Sequence, residues 1–97
     1  MRLTDFEKNT IKKTAQDIFG PDARIFLFGS RVKDHEKGGD IDLYIETDKH
    51  SCLQDKISFL SDLKFKLGDQ KIDVIINSPN QHEKNIFKIA KETGIQI

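Results

Sequence analysis

DIDLYIE, residues 40–46, alternates without a break. Ile41, Leu43 and Ile45 fall on one side of an extended chain; Asp40, Asp42, Tyr44 and Glu46 fall on the other. The pattern predicts a strand with one face in a core and two carboxylates on the opposite face. KIDVII, residues 71–76, repeats it, with Ile72, Val74 and Ile76 on one face and Lys71, Asp73 and Ile75 on the other. If the aliphatic faces pack under helices, Asp40, Asp42 and Asp73 share the remaining face. Carboxylates at i and i+2 stand side by side, their Cα atoms roughly 6.5–7 Å apart.

The segments around these strands alternate in type. Residues 4–19 have helical spacing at Ile11, Ala15, Ile18 and Phe19. Thr4 and Glu7 have capping-box spacing, and Gly20-Pro21 ends the helix. Residues 23–28, ARIFLF, predict a buried strand running into Gly29-Ser30. Residues 31–39 are polar, end in two glycines and predict a loop. Residues 52–67 return to helical spacing through Leu53, Ile57, Leu60, Leu63 and Leu67, closed by Gly68. Ser78, Pro79 and Gln81 predict another helix start, followed by Ile86, Phe87, Ile89 and Ala90. Ile95-Gln96-Ile97 is either a short edge strand or a tail. The expected order is α-β-β-α-β-α with a possible last strand. It is an α+β arrangement: a small mixed sheet with helices on one face.

Length and composition bound the function. Residues 1–97 are expected to form one domain. Sixteen basic and sixteen acidic residues give zero formal net charge, which argues against general nucleic-acid binding. No apolar run is long enough for a membrane span. One cysteine, Cys52, makes no internal disulfide, and the N-terminus lacks a signal-peptide pattern. A reduced, cytoplasmic protein is expected.

Three carboxylates on one face repel one another and raise their own pKa values. A divalent cation reverses that penalty, and hard oxygen ligands suit magnesium held jointly with substrate phosphates. Two such ions can stabilise the attacking and leaving oxygens of a phosphoryl displacement. Gly29-Ser30, at a strand end, permits close backbone approach and offers amide and hydroxyl donors to phosphate. Arg31 is a candidate for neutralising phosphate charge. Tyr44 either lines the site or packs across strands. His50 and His82 lack zinc-ligand spacing, and Lys33 and His35 sit in the polar loop.

Phe28-Gly29-Ser30, then residues 31–39, then Asp40-Ile41-Asp42-Leu43, then Ile72-Asp73-Val74, resembles the DNA polymerase β-type nucleotidyltransferase superfamily. The short length and element order are similar to its minimal nucleotidyltransferases, or MNT proteins. The resemblance implies that Gly29 and Ser30 hold the β- and γ-phosphates of an NTP, with Arg31 beside them. It implies that Asp40 and Asp42 bind magnesium, two ions in all. Asp73 then helps bind the catalytic ion and activates the incoming hydroxyl. It implies transfer of NMP from an NTP, expected to be ATP, with release of pyrophosphate. It further implies a partner: a HEPN-like or other small helical protein from a neighbouring gene, with the MNT member as antitoxin. Many minimal members continue Gly-Ser-x-Ala-Arg-Gly, whereas this chain reads Gly29-Ser30-Arg31-Val32-Lys33-Asp34. Two alternatives stay open: an antitoxin that masks its partner without catalysis, and an aminoglycoside-type transferase acting on a small molecule.

Overall fold

A computed structural model of the chain describes residues 3–28, 41–68, 71–79 and 85–97. Helix α1, Asp5–Phe19, starts where the capping box predicts. Thr4 Oγ1 accepts from the Glu7 amide at 3.1 Å, and the Thr4 amide donates to Glu7 Oε1 at 2.9 Å. Two amides that no helical carbonyl can reach are thereby satisfied. Gly20 closes the helix at φ 110°, a conformation open to glycine without Cβ strain. Strand β1, Arg24–Phe28, and strand β2, Ile41–Glu46, pair antiparallel. Helix α2, Leu53–Leu67, carries the chain back, so strand β3, Ile72–Asn77, lies parallel to β2. Helix α3, Asn85–Thr93, leads into β4, Ile95–Gln96. The expected start of α3 at Ser78-Pro79 runs into residues 80–84, outside the described residues.

The sheet order is β3-β2-β1-β4. The last three residues do continue the sheet, since β4 pairs antiparallel with β1. Gly94 makes this possible. A Cβ there would lie 2.5 Å from the Ala90 carbonyl oxygen and 3.0 Å from that of Leu27, so only glycine lets α3 turn this close to β1.

The main core takes the aliphatic strand faces read from the alternation. Ile25 and Leu27 of β1, Ile41, Leu43 and Ile45 of β2, and Val74 of β3 are buried under α1 and α2. Helix α1 supplies Ile11, Ala15 and Phe19, and α2 supplies Phe59 and Leu63. The expected stripe of α2 holds at Leu60, Leu63 and Leu67, which pack in the core, and fails at its N-terminal end. Leu53 and Ile57 are exposed, while Phe59 is fully buried and meets Phe19 edge-on at 5.6 Å between ring centroids. A small rotation of the helix brings Phe59 inward and turns Leu53 and Ile57 outward, with Leu63 kept in the core. Burying the aromatic pair removes more apolar area from water and adds a favourable ring geometry.

The mixed α+β sheet stands as expected, but its helices do not all share one face. Helix α3 packs on the opposite face, where Phe87 and Ala90 cover Phe26 and Tyr44. Two large aromatic residues on that face could not be left in water without a cost of a few kcal/mol, so the third helix covers them. Among the described residues, no helix is long and apolar enough to cross a membrane.

Candidate active site

The topology brings three chain segments to one end of the sheet. Because β1 and β2 are antiparallel, Phe28 at the end of β1 sits opposite Asp42 near the start of β2. Because β2 and β3 are parallel and in register, Asp73 sits beside Asp42. Neighbouring strands are roughly 4.8 Å apart, and the shared register sends both carboxylates to the same face. Asp42 is partly buried and Asp73 is exposed. Both lie on the α3 side of the sheet, at the strand starts, next to the Phe26–Tyr44–Phe87 cluster.

Gly29, Ser30, Arg31 and Asp40, together with Lys33, His35 and His82, lie outside the described residues. Phe28, one residue before Gly29 in the sequence, is the last residue of β1. Ile41, one residue after Asp40 in the sequence, pairs with Ile72. Among the described residues, no three His, Cys, Asp or Glu side chains gather at a point able to hold a metal ion. Asp42 and Asp73 are a pair. His50 and Cys52 are exposed. Cys52 is the N-cap residue of α2, with its amide donating to Asp55 Oδ2 at 3.1 Å.

Tyr44 takes the packing role. Its ring lies 5.7 Å from those of both Phe26 and Phe87, and its hydroxyl donates to Glu46 Oε2 at 2.9 Å. The same hydroxyl accepts from Asn77 Nδ2 at 3.0 Å. Sequence reasoning passed over Glu46, which ties this face together. It receives Arg24 Nε at 3.0 Å from β1 and Lys91 Nζ at 3.2 Å from α3. A signal was present, because Arg24 and Glu46 are opposite charges in direct cross-strand register. What could not be read was the arrival of Lys91 from a helix on this face.

Burial by itself would push the Glu46 carboxyl up, but hydrogen bonds from Arg24, Tyr44 and Lys91 together hold it below its ordinary value. Tyr44 moves the other way: burial, aided by its neighbour Glu46, raises the phenol. The depressed carboxyl stabilises the fold wherever Glu46 is ionised in both states, that is, above the ordinary glutamate range near ~4.3. The contribution is lost as pH falls through the lower folded-state value. With Arg24 and Lys91 side chains 43% and 56% exposed, it is expected to be about 1 kcal/mol. Denaturant titrations of wild type and Glu46→Gln should therefore differ at pH 7 and converge in acid. A difference independent of pH would show that the clamp is not ionic.

The family model for Polymerase beta, Nucleotidyltransferase matches residues 9–97, nearly the whole described fold. The chain belongs to this nucleotidyltransferase family. No curated protein matches the chain significantly. The match runs from within α1 to the end of β4, so the sheet end that carries Asp42 and Asp73 is part of a nucleotidyltransferase domain. Members of this family generally use a divalent metal and an NTP, and nucleotidyl transfer is the activity the domain supports.

Proposed function

We propose that this nucleotidyltransferase moves NMP from ATP to a hydroxyl group of a partner protein in a magnesium-dependent reaction. The observation that carries the reading is the placement of Asp42 and Asp73 in register on adjacent parallel strands, facing one side. A divalent cation placed between two such carboxylates would be attracted by both. Their hard oxygen donors fit magnesium, and Asp40, two residues before Asp42, is the third ligand of the proposed set. When bound, magnesium supplies positive charge to the phosphates and to the oxygen that leaves with pyrophosphate.

The remaining steps fall to the chain. Gly29 and Ser30 follow β1 directly and hold the β- and γ-phosphates, with Arg31 offsetting their charge. Asp73 orients the incoming hydroxyl and accepts its proton. The acceptor oxygen bonds to the α-phosphorus, the bond from that phosphorus to the bridging oxygen breaks, and pyrophosphate departs. In-line attack needs the hydroxyl about 3–3.5 Å from the phosphorus, so the acceptor must be positioned by its own contacts. A protein acceptor brings such positioning contacts on its own surface, which favours a protein as acceptor. We assign that partner to a HEPN-type toxin or other small helical protein encoded next to this chain, with this chain as antitoxin and tyrosine as the acceptor residue.

The test is incubation of this chain and its helical neighbour with magnesium and α-labelled ATP, followed by intact-mass measurement of both proteins. The expected result is an adduct of AMP mass on the partner, stoichiometric pyrophosphate release, and slow turnover by the isolated chain. A tight complex that suppresses toxicity without any adduct would replace catalysis with masking. Label transferred to an aminoglycoside instead would move the acceptor to the small-molecule class.

A further inference from the structure

The two edges of the sheet are built differently. On one side β4 is only two residues long, Ile95–Gln96, and offers little to pair with. On the other side β3 runs for six residues, Ile72–Asn77, with no proline and no strand beyond it among the described residues. Its hydrogen-bonding groups alternate in direction. Lys71 O accepts from the Ile41 amide at 2.9 Å, and Asn77 O accepts from the Thr47 amide at 3.0 Å. Odd-numbered residues therefore face β2, and Ile72, Val74 and Ile76 turn their amides and carbonyls outward.

This edge is the floor of a trough. A cavity of about 430 Å³ opens along Val74–Ile76, walled on one side by Leu53 and Lys56 of α2 and on the other by Ile86 and Phe87 of α3. Leu53 is 70% exposed and Ile86 40% exposed, so both walls present apolar surface to whatever enters. Lys56 is the charged residue of the lining, and it has no ion pair among the described residues.

We propose that this trough binds an extended segment of a partner protein, added to the sheet as a strand beside β3. Main-chain bonds would come from Ile72, Val74 and Ile76. Side chains on one face of the added strand would meet Leu53 and Lys56, and those on the other would meet Ile86 and Phe87. The occupant is therefore an apolar, β-prone segment carrying a carboxylate on the Lys56 side. Walls standing on both faces of the edge fit a single strand better than the flat side of a second copy. The inference rests on the edge and its walls, not on nucleotidyl transfer.

The probes are acetylated, amidated hexapeptides of alternating valine and threonine, with one glutamate moved through the sequence. Binding by the full chain is followed by amide hydrogen exchange and by NMR shifts. The best peptide should slow exchange at Ile72, Val74 and Ile76. N-methylation at alternate peptide residues of one parity should weaken it at least ~10-fold, while methylation at the other parity leaves it unchanged. Lys56→Glu should weaken the glutamate peptide about 5-fold and favour its lysine counterpart. Absence of binding by every peptide at millimolar concentration would overturn the proposal. So would equal loss from both methylation patterns, binding without protection of the three amides, or a dimer of the free chain that already protects them.

Discussion

Asp42→Asn is expected to lower nucleotidyl transfer by at least ~10²-fold, a loss of about 2.7 kcal/mol or more in transition-state stabilisation. The substitution keeps the side chain nearly isosteric and removes one negative charge. Asp42 stands beside Asp73 in the β2–β3 register, on the face opposite the main core, so its neutralisation leaves Ile41, Leu43 and Ile45 undisturbed. The metal-free variant should stay folded, because the substitution lies away from the main core. The measurement pairs initial rates of pyrophosphate release with thermal melts in chelator and in magnesium. The wild type should gain stability from magnesium, and the variant should gain less. Undiminished transfer by Asp42→Asn would remove this carboxylate from the chemistry.

Phe59→Ala should destabilise the fold by about 3–5 kcal/mol. Phe59 is fully buried at the contact of α2 with α1, with its ring set edge-on to Phe19. Truncation deletes both the transferred area and the ring pair, and leaves a cavity that two helices cannot easily close. A chain of 97 residues commands only about 5–15 kcal/mol in total. The loss should lower the melting midpoint by more than ~10 °C. Leu53→Ala is the matched control, because Leu53 is 70% exposed and its removal should cost under ~0.5 kcal/mol. Similar losses from the two variants, read by circular dichroism, would show that the α2 register is not the one described.

Much of the architecture was legible in the sequence because its signals are local. The Thr4–Glu7 capping box, the Gly20 and Gly68 stops, and the strict alternation of residues 40–46 each depend on neighbours within a few positions. Local rules therefore sufficed to place α1, β2 and the ends of α2. The same alternation put Asp42 and Asp73 on the face away from the aliphatic core. Their adjacency was a different matter. It needed β3 to lie parallel to β2 with Asp42 opposite Asp73, a register set by the length of the α2 crossover and by the burial of Val74, not by any local pattern.

Helix α2 shows where periodicity stops being informative. Leu60, Leu63 and Leu67 can be joined in the core by Leu53 and Ile57 or by Phe59, and only docking against Phe19 selected between them. The side chosen by α3 was likewise a tertiary decision. Its residues 86, 87, 89 and 90 are apolar around half the helix, and the uncovered Phe26 and Tyr44 rings decided that Phe87 and Ala90 turn inward. Once α3 lay there, Lys91 reached Glu46 and completed a charge cluster drawn from β1, β2 and α3. Short-range hydrogen bonding and alternation are written along the chain. The pairing of distant strands and the choice between competing apolar faces depend on total buried area, which exists only after the elements meet.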